Sequence, residues 1–262
     1  MSLRNSEGGT KLPAVDERLV APESGYEIDD GKLVRVSPSD PPHAIRHSKI
    51  SALLEAHVAD TFEVACDMLT RVSETSDRAP DASVFPRAPD PITGGRQIEQ
   101  LAFEVVSTES LGHAAKKASE LCARGVRRVF AVDVERVSAF EWSRELGRWR
   151  LLDLAGWIED PALAVALPLD ALVRAAKADD AIASALLAKH NPVLVAALAE
   201  RAEHARAEGK AHMILRVLAN RGVAVDTSQR EHIFAERDHV RLDRWLDRSL
   251  VCASTAEVLA AD

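Results

Sequence analysis

Two stretches decide the fold: RAPDASVF at residues 78–85 and LAFEVVSTES at residues 101–110. Asp81 opens a short apolar run directly after Pro80. Glu104 lies in the next strong run, 104 − 81 = 23 residues later. Both runs are short and rich in β-branched and aromatic residues, which predicts strands. By the two-residue period of a strand, Ala102, Glu104 and Val106 share one face. An unpaired carboxylate in so apolar a run is costly. Two carboxylates on adjacent strands can share one hard cation, with a backbone carbonyl, that of Val105, and waters filling the remaining positions. A cation held so activates a water and stabilises charge on phosphoryl oxygens. The alternative is that Asp81 caps a turn and Glu104 faces solvent at a strand end. Spacing alone leaves both open.

Working outward, a helix is expected from about Leu111 to Arg124, stopped by Gly125. Its apolar stripe runs through Leu111, Ala114, Ala115, Ala118, Leu121 and Cys122. At about 100° per residue, Lys117 borders that stripe and Lys116 points away from it. Strands follow at VRRVFAVD (126–133), VSAFEW (137–142) and RWRLL (148–152). Asp133, at the end of the first of these, suits a loop-orienting role. Arg124, Arg127 and Arg128 form the best basic patch, for phosphate or simply for solvent.

Upstream, FEVACDMLTRV (62–72) reads as a strand. HAIRHSKISALLEAHVAD (43–60) has helical spacing through Ile45, Ile50, Leu53, Leu54 and Val58. YEIDDGKLVRV (26–36) reads as a hairpin turning at Asp30–Gly31. The order of elements predicts an α/β fold, a mixed central sheet flanked by helices. We divide the chain into a loose lead-in over 1–23, an α/β core over 24–175 and an all-helical extension over 176–262. Pro161–Val173 reads as a connector. Helices are expected at about 193–219, 228–236, 239–250 and 255–260. Ser228 with Glu231 has capping-box spacing, and Asp238 is placed to cap the helix of Trp245.

The net charge is −8. Residues 1–175 carry 21 − 28 = −7 and the remainder 12 − 13 = −1. Nucleic acid would therefore meet a local basic patch on an acidic background, not a uniformly cationic coat. The three cysteines, Cys66, Cys122 and Cys252, show no metal-binding spacing and read as reduced thiols. No run is long enough for a membrane span, and Met1–Thr10 lacks an apolar signal core, so cytoplasm is the expected compartment. Walker A, GxGxxG, HExxH and GxSxG strings are absent, which removes the commonest nucleotide, zinc-protease and hydrolase signatures.

The strings YEIDDGKLVRVSP (26–38), HSKISALLEAHV (47–58), DRAPDASVF (77–85), FEVVSTES (103–110) and KKASELCARGVRRVFAVD (116–133) occur in a telling order. That order resembles the Uma-two family of restriction-endonuclease-like proteins, over about residues 24 to 173. The resemblance implies a PD-(D/E)XK nuclease core, with Asp81 as the PD aspartate and Glu104 as the second acid. In D…ExK the lysine follows the glutamate by two residues, where this chain has Val106. Family members usually carry it on the following helix, which implies Lys117. His47 stands where the family often has histidine, with His43 an alternative occupant. Glu27 matches the start of the family's hairpin and is a candidate outer acid. ILRVLANRGVAV (214–225) with LDRWLDRSLVCASTAEVL (242–259) resembles the helical ends of recombination-promoting nuclease-like proteins.

The expectation is a Mg²⁺- or Mn²⁺-dependent endonuclease acting on DNA. Asp81, Glu104 and the Val105 carbonyl would hold the cation, and Asp81, Glu104, Lys117 and His47 would serve catalysis. The expected partners are nucleic acid and a second copy met through the tail, with no membrane. The alternative is an inactive nuclease-like fold that binds protein or nucleic acid.

Overall fold

The computed structural model of the chain describes residues 12–19, 26–35, 40–107 and 111–260, except for the side chains of residues 175 and 176. It forms two compact units, Met1–Lys189 and His190–Asp262.

The first unit is built on a six-stranded sheet. Its members are β3 (Phe62–Cys66), β6 (Ala82–Pro86), β7 (Leu101–Val106), β8 (Arg128–Asp133), β9 (Ser138–Ser143) and β10 (Arg148–Leu151). In space they run β10-β9-β8-β7-β6-β3. Only β7 and β8 are parallel, because α2 (Leu111–Arg124) carries the chain back between them. Gly125, at φ +128, ends that helix with its N–H donated to the Leu121 carbonyl, as the sequence predicts. The sheet is covered on both faces, so β7 is buried along its whole length.

On one face, Phe103, Val105, Phe130 and Val132 pack with Ile50, Leu53 and Leu54 of α1 (Pro41–His57) and with Leu169 and Leu172 of α3 (Leu169–Val173). Each such fully buried side chain contributes about 1.5–3 kcal/mol. On the other face, α2 sets Ala118, Leu121 and Cys122 against Ala102 and Val129, and Ala114 against Val106 and Ala131. Glu104 lies between Ala102 and Val106, beneath that helix. Asp40 starts α1 by accepting the His43 N–H, and it also accepts from the Ser107 hydroxyl at the end of β7.

A second sheet departs from the expectation of one. It has the order β2-β1-β5-β4, from β1 (Tyr26–Asp29), β2 (Lys32–Arg35), β4 (Thr70–Arg71) and β5 (Asp77–Arg78). The run at 62–72 thus divides between two sheets, breaking at Asp67, which adopts φ +51. The expected connector at 161–173 contributes β12 (Leu167–Pro168), paired with β11 (Trp157–Ile158), and then α3.

The lead-in is not loose over residues 12–19. The Pro13 carbonyl accepts from Arg124, and the Val15 carbonyl accepts from the Arg71 N–H at 3.0 Å. The Leu19 N–H donates to Asp77. Asp16 lies so close over Gly95 that a side chain there would displace it.

The boundary expected at 175 falls instead at Lys189–His190. Helix α4 (Ala175–Ala188) belongs to the first unit, where Ala178 and Ala181 join the α1 core. The second unit holds α5 (Pro192–Asn220), α6 (Thr227–Ala235), α7 (His239–Ser249) and α8 (Thr255–Leu259) around Ile214, Leu218, Ile233, Leu242, Trp245 and Val258. Asp238 caps α7 as predicted. The capping box of α6 is Asp226 with Gln229, two residues ahead of the expected Ser228 and Glu231. Among the described residues, no single helix is long and apolar enough to cross a membrane.

Candidate active site

Asp81 stands one residue before the first β6–β7 pair, Ala82↔Phe103, so the antiparallel register carries it toward Glu104. Its Oδ2 accepts the Val105 N–H at 2.5 Å, and its Oδ1 lies 3.4 Å from His43 Nε2. Burial alone would raise this carboxyl. The donors from His43 and Val105, with the charge of Lys117, bring it below the ordinary aspartate range.

Glu104 is 5% exposed, and its Oε2 lies 3.0 Å from Lys117 Nζ. Its other oxygen, Oε1, is buried and has no hydrogen-bond partner among the described residues. Burial pushes the Glu104 carboxyl up to about 8; Asp81 and Glu27 add to the rise and Lys117 opposes it. Lys117 reaches in from α2 and also donates to the Ala79 carbonyl at 2.9 Å, with Glu27 Oε1 3.5 Å away. Burial works against its charge, but the carboxylates of Glu104, Glu27 and Asp81 outweigh it, so Lys117 stays firmly protonated. Three carboxyl groups thus surround one ammonium, and Glu104 relieves the crowding by holding its proton up to about 8.

Glu27 is fixed from both ends: Oε1 accepts the Ala79 N–H at 2.9 Å, and Oε2 lies 3.8 Å from Arg78. His47 meets the main-chain oxygen of Asp81 through its Nε2. Asp67 was missed. Its N–H donates to the Pro80 carbonyl at 3.1 Å, and it shares the field of His47, Asp81, Lys117 and His43. Burial, with Asp81 adding, holds its carboxyl above the usual range. The one signal in the sequence was a residue type that tolerates left-handed backbone directly after a strand.

A hard cation suits this donor set. Asp81 and Glu104 lie within one another's field at facing ends of β6 and β7, and Glu104 Oε1 is a buried acceptor lacking a donor among the described residues. Among the described residues, no group of three or more His, Cys, Asp or Glu side chains is arranged to hold a metal ion. Further ligands would have to be carbonyl and water oxygens.

Residues 13–171 match the family Uma2, described as "Putative restriction endonuclease". The chain belongs to the Uma2 family. The match begins at residue 13, ahead of the expected 24, and so takes in residues 13–19 of the tethered segment. No curated protein matches. Among solved structures, the chain is similar to one titled "a putative nuclease belonging to DUF820", from Anabaena variabilis ATCC 29413. The two are 16% identical with a TM-score of 0.48, over 62% of this chain and 93% of that one.

In this Uma2 chain the ExK position, Val106, is packed against Ala114 and Ala131. The two helix lysines part company as the apolar stripe predicts. Lys116 is half exposed and pairs with Asp29 at 2.6 Å, whereas Lys117 enters the acid cluster. The expected basic patch is spent on the fold. Arg124 donates to the Arg71 and Pro13 carbonyls. Arg127 and Arg128 pair with Asp160, and Arg128 also with Glu141. Asp133 orients its loop through the Arg136 N–H.

Proposed function

We propose that the protein is a divalent-cation-dependent nuclease that hydrolyses phosphodiester bonds, with DNA as its substrate. The observation that carries this reading is Lys117 Nζ at 3.0 Å from Glu104 Oε2, with Glu104 Oε1 buried in the field of Asp81 and lacking a donor among the described residues. Asp81 and Glu104, with the Val105 carbonyl, would hold Mg²⁺ or Mn²⁺. The bound cation would lower the pKa of water and offset charge on the phosphate.

The chain's own residues do the rest. Lys117 can donate to an attacking water or to the charge developing on phosphate, from a site where burial strengthens its effect. Glu27 and the Ala79 carbonyl fix its direction. His43 holds the free edge of Asp81, and His47 braces the Asp81 main chain. The three free cysteines support a reducing compartment, the cytoplasm. We assign self-association to the second unit, where Val193, Val195 and Leu198 of α5 are exposed.

A second reading, a nuclease-like fold that binds without cutting, draws on the want, among the described residues, of a group of three side-chain donors arranged for a metal. An assay on supercoiled plasmid, single-stranded DNA and RNA with Mg²⁺ and Mn²⁺ decides between them. Metal-dependent cutting that Asp81→Ala abolishes is the expected result. No cutting of any substrate, together with no Mn²⁺ heat that depends on Asp81, would leave only the binding module.

A further inference from the structure

The β1–β2 hairpin separates its charges. The acids on β1 are consumed inward: Glu27 by the Ala79 N–H and Lys117, and Asp29 by Arg78 and Lys116. Gly31 and Asp30 anchor the turn to Thr75 and Ser76. The outer strand β2 is the opposite case. All four residues, Lys32, Leu33, Val34 and Arg35, are exposed, and β2 is the edge of its sheet. Neither Lys32 nor Arg35 makes an ion pair among the described residues, while Leu33 is 59% and Val34 41% exposed. An anchored edge strand that bares two apolar residues between two cations needs an occupant.

Register narrows the choice. Directly paired residues share a face, so Glu27↔Val34 and Asp29↔Lys32 put Lys32 on the side of the acid cluster. Tyr26↔Arg35 puts Arg35 on the other side. A second copy pairing antiparallel through β2, with Leu33 opposite Val34, would set Lys32 against Arg35, like charges directly opposed. A polyanion has no such conflict. Lys32, opposite Asp29, lies on the same face as Glu27, which neighbours Lys117, so a backbone lying over Lys117 can extend toward Lys32.

We propose that the β1–β2 ribbon seats in a groove of duplex nucleic acid. Lys32 contacts phosphate on the strand that is cut and Arg35 contacts the complementary strand, with Val34 beside Lys32 on one face, Leu33 beside Arg35 on the other, and the open edge of β2 turned toward the bases. A two-stranded ribbon fits the major groove. The proposal rests on the nuclease reading but is tested apart from cleavage.

The test is fluorescence anisotropy of the full chain with a labelled duplex and with the same single strand, in EDTA, across a salt series. Lys32→Ala should weaken both and lower the salt slope by about 1 in each. Arg35→Ala should weaken the duplex alone. Arg216→Ala with Arg230→Ala, two exposed charges of the second unit, serves as control. Mn²⁺ heats and melting temperatures on the same samples report the cation site and the fold. Unchanged duplex affinity in both ribbon variants, an equal loss in the control, or no binding by the parent protein would overturn the ribbon, whatever the plasmid assay shows. So would a loss of single-strand affinity in Arg35→Ala. A metal site that fails while the ribbon effects persist would instead sink the nuclease and leave the docking surface standing.

Discussion

Lys117 of α2 and Glu104 of β7 meet at 3.0 Å across the layer between helix and sheet. A cation at the end of a helix side chain therefore stands over a carboxylate that a strand holds in place. If it serves turnover, Lys117→Ala should lower kcat by about 10²–10³, the usual cost of one preorganised donor. Lys116→Ala, which breaks a half-exposed pair with Asp29, should change kcat and melting temperature little. Plasmid cleavage rates and melting curves check both. Full activity in Lys117→Ala would mean the wrong lysine or the wrong mechanism.

Asp81→Asn and Glu104→Gln should each abolish calorimetric Mn²⁺ binding while leaving the chain folded. The Glu104 carboxyl is held above its ordinary range, so apo Glu104→Gln should melt no lower than the parent, whereas Asp81→Asn gives up a carboxylate that the fold stabilises and should melt somewhat lower. Unchanged Mn²⁺ affinity in either variant removes that residue from the cation site.

The raised Glu104 carboxyl sets a pH dependence. The native protein holds this proton more tightly than the unfolded chain does. Stability should therefore fall as pH rises from the ordinary glutamate range to about 8, then level off. Glu104→Gln should lack that slope. Mn²⁺ must displace the same proton, so affinity should climb from pH 6 to 8.5. Calorimetry in buffers of different ionisation heat would show the released proton, and a pH-independent affinity would contradict the assignment.

Residues 1–189 should fold alone, and residues 190–262 should form a separate helical unit around Ile214, Leu242 and Trp245. A chain cut at 176 should do worse, because losing α4 uncovers the α1 core at Ala178 and Ala181. Circular dichroism and light scattering of the three pieces decide this. Equal masses for full chain and 1–189 would count against self-association through the second unit.

Asp226→Ala should cost the second unit about 1 kcal/mol, while Ser228→Ala should be almost silent. Thermal melts of residues 190–262 measure both.

The sequence made the site's frame legible because that frame is local. Strand periodicity put Glu104 on one face, and the stripe of α2 told Lys117 from Lys116. The second sheet was illegible for the opposite reason. β4 and β5 are Thr70–Arg71 and Asp77–Arg78, too short for any period and held by buried partners such as Arg71 with Asp77. Asp67 joins the site only because its backbone turns left-handed. Helix α4 reads as extension because alanine gives little contrast between a buried face and an open one. For α6, Asp226–Gln229 and Ser228–Glu231 satisfy the same spacing rule, and only the folded chain chooses the first.

The segment at 12–19 is gripped mainly through its main chain, at the Pro13 and Val15 carbonyls and the Leu19 N–H. Contacts of that kind ask little of side-chain identity and much of chain presence. Apart from the buried Val15 and from Asp16, which accepts the Arg96 N–H, side chains here can therefore change at little cost, while a shortened variant starting at residue 24 would take one partner each from Arg71, Arg124 and Asp77 at once. Substitution is tolerated there; deletion is not.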